Sequence, residues 1–263
     1  MKQRIITAII ALIFFLPFVI IGDWPFTVLV YVMATVGLIE LMRMRNIGKY
    51  SVSSVLAIGL LWLVMLPVEA DIIPTGWISK SEIIMIVVML LLSYTVLVKN
   101  KFTFDHAGFI LLATLYVGMG FFFLIETRDA QQGLGNIIYV FFIVWATDTG
   151  AYFFGRAIGK NKLWPEISPN KTIEGAVGGI VLACVTGVAY HLINPFPYSM
   201  FIIIAVTILA SIAGQIGDLV ESAFKRHYGV KDSGDILPGH GGILDRFDSV
   251  LFVFPLLHFI QFI

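Results

Sequence analysis

The chain has 263 residues, 59% of them hydrophobic and 13% charged, with no net charge and a mean hydropathy of +0.93. Soluble domains average about 45–50% apolar and about 25% charged residues, so this composition excludes a water-soluble globule, intrinsic disorder and a nucleic-acid-binding protein. The single cysteine, Cys184, excludes an intrachain disulfide framework and a CxxC metal site. What remains is an integral membrane protein.

Nine apolar runs approach bilayer-crossing length: Ile5–Ile21, Phe26–Leu41, Val52–Val68, Ile83–Val98, Gly108–Ile125, Ile137–Ile158, Gly175–Ile193, Met200–Val220 and Gly242–Ile263. Long unbroken runs predict helices, not a β-barrel with its ten-residue alternation. Lys2 and Arg4 precede the first run as they would in a signal peptide. The run is longer than a signal core and lacks a small-x-small cleavage site, so it reads as a retained helix.

Lysine and arginine then set the sides. With the N-terminus in the cytoplasm, the cytoplasmic segments hold Lys2, Arg4, Arg43, Arg45, Lys49, Lys99, Lys101, Arg156, Lys160, Lys162, Lys171, Lys225, Arg226, Lys231 and Arg246. That is 15 of the 17 basic residues, and only Lys80 and Arg128 fall on the other side. So strong a positive-inside bias predicts an all-α polytopic membrane protein of about nine helices, N-terminus cytoplasmic and C-terminus opposite, in the plasma (inner) membrane.

Residues 1–135 read as membrane scaffold of about five spans, and Glu40 beside Arg43 reads as an interfacial charge. Residues 136–263 read as the catalytic half, about four spans with cytoplasmic loops 156–174 and 221–246, within one integrated membrane domain. This half carries ionisable residues in or at the edge of its spans: Asp148, Arg156, Glu174, Asp218, Glu221, Asp245, Arg246 and Asp248. Charge inside a membrane is costly and usually faces a protein interior or a wet cavity. Its concentration toward one face predicts a shared site. Gly175, Gly179, Ala183 and Gly187 form a small-residue stripe on span seven, suited to packing within the chain or to a homodimer seam.

From span eight to span nine the acids recur at helical spacing. Asp218, Glu221, Ser222 and Lys225 share one helix face, and Asp245 and Asp248 are i, i+3. Paired carboxylates with open coordination suit Mg²⁺, which keeps waters and takes phosphate oxygens as further ligands. Lys225, Arg226, Lys231 and Arg246 can hold a polyphosphate. Gly239, Gly241 and Gly242 would let backbone N–H groups approach an anion beside the next helix N-terminus. The same residues could instead form an ordinary interfacial loop facing anionic headgroups, but that reading leaves Asp218 and the glycine-flanked His240 unexplained.

A second cluster pairs Asp148 with the turn Ser168-Pro-Asn170-Lys171-Thr172, which reads either as a phosphate contact or as a capped helix start. The stretch Gly155 to Lys160 is one residue short of a P-loop and has Asn161 where Ser or Thr is required. Together, acids, cations and glycines at one membrane face predict a phosphate-rich soluble substrate meeting a lipid.

The run Ser222-x-Phe224-Lys225-Arg226, four residues, Lys231-Asp232-x-Gly234, then Pro238-x-His240-Gly241-Gly242-x-x-Asp245-Arg246-x-Asp248 resembles the signature of the phosphatidate cytidylyltransferases, or CDP-diacylglycerol synthases, across 27 residues. Asp148 and the turn from Ser168 to Gly175 also look like family features. The resemblance implies transfer of the cytidylyl group of CTP to phosphatidate, giving CDP-diacylglycerol and pyrophosphate, with Mg²⁺ as cofactor. It implies Asp218 and Asp245 as metal-binding carboxylates, with Lys225 and Asp248 beside them in the catalytic set. Ser222, Arg226, Lys231, Asp232, His240, Gly241, Gly242, Arg246, Ser168, Asn170, Lys171, Thr172 and Asp148 are then expected around the substrates. Phosphatidate is already ionised at neutral pH, so no general base is demanded, and His240 is expected as a phosphate or loop contact.

Two other readings share the composition. A CTP-using polyprenol or phytol kinase would release CDP, and a secondary transporter would relay a cation between Asp148 and Asp218. The unlike halves and one-sided charge disfavour the transporter.

Overall fold

The computed structural model describes residues 2–48, 52–67 and 80–263. Lys49, one of the cations counted above, and Val68, the expected end of span three, lie outside them.

The described chain is almost entirely helical: α1 (Lys2–Ile21), α2 (Asp23–Met44), α3 (Val52–Met65), α4 (Lys80–Leu97), α5 (Phe104–Asp129), α6 (Gly133–Ile158), α7 (Ile173–Ile193), α8 (Met200–His227), α9 (Leu244–Phe247) and α10 (Val250–Phe259). Five of these, α2, α5, α6, α7 and α8, are long and apolar enough to cross a membrane, and α3, α10 and parts of α1 and α4 are shorter apolar helices. Each expected run overlaps helix among the described residues. Outward faces are greasy in helical register, as in Val177, Val181 and Val185 of α7, all exposed. An aqueous surface would not carry such a stripe, and a multi-pass membrane protein does.

Local chemistry explains where elements begin. Gly22, at φ +71°, breaks α1 from α2. Thr103 caps α5: its hydroxyl accepts from His106 N–H at 3.4 Å, while His106 Nδ1 accepts from Thr103 N–H at 3.0 Å. Thr172 caps α7 by accepting the Gly175 N–H at 3.1 Å.

Two departures from the expected elements bear on the site. The loop before α7 contains a two-stranded antiparallel hairpin, β1 (Lys162–Trp164) and β2 (Ser168–Thr172). In addition, span nine is not one helix. It is interrupted at Asp248 and Ser249 between α9 and α10, with Pro255 inside the second piece. The interruption seats against Gly217 of α8, where a Cβ would lie 2.5 Å from the Asp248 carbonyl oxygen and 3.1 Å from Ser249 Cα. Backbone cannot yield there as a flexible side chain would. Gly217→Ala should therefore destabilise the protein by about 1–3 kcal/mol, the usual cost of overpacking, seen as a lower Tm in detergent.

The small-residue stripe of α7 is spent inside the chain. A Cβ on Gly179 would meet the Thr147 carbonyl of α6 at 2.7 Å, and one on Gly187 would meet Thr207 of α8 at 2.6 Å. Buried hydroxyl pairs fasten α6 to α8, Tyr139 with Thr207 at 2.7 Å and Thr147 with Ser211 at 2.8 Å. Around Phe247 of α9, rings of Phe15, Phe121 and Phe141 stand 5.5 to 6.3 Å away, anchoring this short helix to α1, α5 and α6.

Candidate active site

At 28 residues, α8 is the longest helix, roughly 42 Å at 1.5 Å per residue. A hydrocarbon core of about 30 Å consumes some twenty of those residues. The helix thus exceeds that thickness by about two turns, which would carry Glu221 to His227 past one edge of such a layer, with Asp218 less than a turn inside it.

There the predicted helix face is realised. Ser222 Oγ donates to Asp218 Oδ1 at 3.3 Å, and Lys225 pairs with Glu221 one turn back. Glu221 is fully buried. The hairpin delivers Lys171 to the other Asp218 oxygen, Nζ to Oδ2 at 2.7 Å. The Ser168–Thr172 turn realises the capped helix start through Thr172, while its neighbour Lys171 reaches the Asp218 carboxylate. Asp148 of α6 lies within electrostatic reach of Asp218, Lys171 and Arg246, and Asp248 within reach of Asp218, Asp148 and Lys225. Asp218 thus pairs with Lys171, and Asp148 and Asp248 add negative charge near it.

Asp245 is held more firmly. Its Oδ2 accepts from Ser233 N–H and Oγ–H, both at 2.7 Å, and from Gly242 N–H at 2.8 Å. Its Oδ1 accepts from Lys225 Nζ at 2.7 Å. The loop glycines serve this contact. Leu237 N–H donates to the Gly241 carbonyl at 3.0 Å and closes a tight turn, Gly239 and Gly241 adopt φ +77° and +79°, and a Cβ on Gly241 would run into the Asp245 carboxylate. The loop receives an anion through its backbone, as expected, but in this structure that anion is the chain's own Asp245.

The remaining predicted residues stand at the rim. Arg246 Nε donates to the His240 carbonyl at 3.1 Å, and Arg226 Nε to the Ile167 carbonyl of the hairpin at 3.2 Å. Both guanidinium groups are exposed, as are Lys231, Asp232 and Asn170, while Ser168 is half-buried. Ser168, Asn170, Lys231 and Asp232 make no side-chain hydrogen bond among the described residues. Glu174 faces away from the acidic cluster: it accepts the Lys160 and Asn161 N–H groups at 3.1 and 3.2 Å and the Asn161 amide at 2.7 Å, and so shapes the entry to the hairpin.

Sequence reasoning missed contributions from the N-terminal half. Glu40, read as an interfacial charge, is only 3% exposed and is bonded into the loop before α9. A lone acid in an apolar run is the signal that could have marked it. Tyr116 of α5 packs its ring on Phe224 and Phe252, and its buried hydroxyl, which has no hydrogen-bond partner among the described residues, lies within reach of Asp248 and Glu221. Ser233, between Glu40 and Asp245, carries no signal in the sequence.

A profile of the cytidylyltransferase family matches residues 2–263, nearly the whole chain. The chain belongs to the cytidylyltransferase family. As a member it is a nucleotidyltransferase. A relative from Bacillus subtilis (strain 168) is 53% identical over 261 residues, covering 99% of this cytidylyltransferase and 97% of the relative. Relatives from Staphylococcus haemolyticus (strain JCSC1435) and Staphylococcus aureus (strain COL) are each 49% identical, with 98% of both chains covered. All three are named phosphatidate cytidylyltransferase.

Proposed function

We propose that this cytidylyltransferase joins CTP to phosphatidate, giving CDP-diacylglycerol and pyrophosphate, at the cytoplasmic face of the inner membrane. The observation that carries the reading is the pair of acid–lysine contacts at the end of α8, Asp218 with Lys171 and Asp245 with Lys225, both at 2.7 Å. The positive-inside count supports a cytoplasmic placement, with nine spans and the C-terminus opposite. Soluble CTP then approaches from water while phosphatidate presents its phosphate at the headgroup plane.

A phosphatidate oxygen attacks the α-phosphorus of CTP in line. The new P–O bond joins lipid phosphate to cytidylyl, and the bond from α-phosphorus to the bridging oxygen breaks, with pyrophosphate taking the electron pair. Lys171, Lys231, Arg226 and Arg246 screen the repulsion between two anionic substrates and orient them. The ordered Gly239–Gly242 turn fixes the loop between Lys231 and Arg246.

The donor set fits a hard divalent cation. Among the described residues no three His, Cys, Asp or Glu side chains converge on one metal position, but Mg²⁺ needs only one or two carboxylates besides water and phosphate oxygens. Asp218 and Asp245 would hold it. Three donors already occupy Asp245 Oδ2, so Oδ1, now on Lys225, is the oxygen it can offer. Bound there, Mg²⁺ would neutralise phosphate charge in the transition state. A second copy of the chain would have to use a face other than the α7 stripe, which α6 and α8 already fill.

Purified protein in detergent with labelled CTP, phosphatidate and Mg²⁺ should release pyrophosphate and form CDP-diacylglycerol, and EDTA should abolish both until Mg²⁺ is restored. Release of CDP in place of pyrophosphate would indicate a lipid kinase. No product across metals and lipids would overturn the reading.

A further inference from the structure

We infer that Glu40, in the N-terminal half, is a positioning residue for the reaction, holding the loop that orients Asp245. The inference rests on the reaction proposed above and concerns how its site is kept in shape.

The geometry is specific. Glu40 Oε1 accepts the Ile243 N–H at 2.9 Å and Oε2 accepts the Leu244 N–H at 3.0 Å, so the carboxylate straddles the start of α9 from more than two hundred residues away. Those are the two residues immediately before Asp245. Ser233 Oγ stands between the two acids, 2.7 Å from Asp245 Oδ2 and 3.2 Å from Glu40 Oε2. The loop leaves room for the carboxylate at two glycines. A Cβ on Gly234 would lie 2.7 Å from Glu40 Oε1, and one on Gly242 would collide with the carboxylate outright.

An interfacial charge needs none of this. Among the described residues Glu40 is in no salt bridge, Arg43 included. The carboxylate accepts two backbone N–H groups at the start of α9, so neither is left orphaned. Glu40 therefore fixes the backbone on which Asp245 rides, while Ser233 and Gly242 fix the Asp245 carboxylate itself. A shift of about 1 Å in a positioned group can cost about a hundredfold in rate.

The test is a pair of variants and their combination, assayed for pyrophosphate release beside the wild type in detergent. Glu40→Gln keeps the shape but turns an amide N–H₂ toward a backbone N–H. It should lower kcat by about tenfold or more while KM for CTP and phosphatidate stays within about twofold, since the loss is of alignment and not of binding. Ser233→Ala removes the hydroxyl shared by the two acids. The Glu40→Gln/Ser233→Ala double variant should lose no more than the worse single variant, because Ser233 Oγ links the two carboxylates and both substitutions disturb the one placement of Asp245. A folding defect alone would instead lower the active fraction and multiply with the second substitution. Glu40→Asp, which keeps the charge with a shorter reach, should recover part of the Glu40→Gln loss, and it replaces Glu40→Gln in the cycle if that variant does not fold. Wild-type kcat in Glu40→Gln, multiplicative losses in the double variant, or no recovery in Glu40→Asp would each overturn the inference. An inactive wild type would overturn the proposed reaction instead.

Discussion

Asp218→Asn is expected to cut pyrophosphate release by about 10²–10³-fold while leaving the protein inserted and folded. The substitution is nearly isosteric, so Ser222 keeps an acceptor and the helix face keeps its packing. What disappears is the negative charge that Lys171 Nζ meets at 2.7 Å and that Asp148 and Asp248 face from neighbouring elements. With a side chain 30% exposed, Asp218 is open to water, phosphate and a cation in a way that Glu221 is not. The cost should therefore fall on turnover and hardly on Tm. A rate near that of the wild type would show that the charge at this position is not used, and would remove Asp218 from the proposed pair of Mg²⁺ ligands.

Lys225→Met should act in the opposite proportion, on stability first. The Lys225 ammonium serves two carboxylates at once, Glu221 and Asp245. Asp245 would keep its three donors on Oδ2. Glu221 would be left fully buried with its cation gone, and removing one partner of a buried pair costs about 3–5 kcal/mol. The Tm in detergent should drop markedly. Adding Glu221→Gln to Lys225→Met removes the orphaned charge and should restore much of that loss, because the penalty lies in the unpaired carboxylate and not in the missing lysine. Restored stability with poor turnover would divide the two roles of Lys225. If the double variant were no more stable than Lys225→Met alone, the buried pair would not be the source of the cost.

Both expectations depend on a distinction that the sequence does not draw. Asp218, Glu221 and Ser222 share one helix face at i, i+3 and i+4, and equal spacing makes the two acids look alike. The fold separates them: the Asp218 carboxylate opens toward the hairpin, while the Glu221 carboxylate is closed in beneath Lys225. The hairpin is a case of the same kind. Three- and five-residue strands are too short to leave a periodic signal, and only their pairing brings Lys171 to Asp218.

Composition and apolar run length determined on their own that this is a helical membrane protein. Those properties are read along the chain, because each span must satisfy its own backbone hydrogen bonds within itself. The 27-residue pattern from Ser222 to Asp248 likewise marks the loop and both acidic helix ends in the sequence itself. Tertiary structure alone decided that the loop glycines wrap around Asp245, that span nine breaks where Gly217 lets it approach, and that Glu40 reaches the Ile243 amide 203 residues onward. The physical reason is that a carboxylate takes whichever donors packing brings within hydrogen-bond distance, and no periodicity in the chain records which distant backbone that will be.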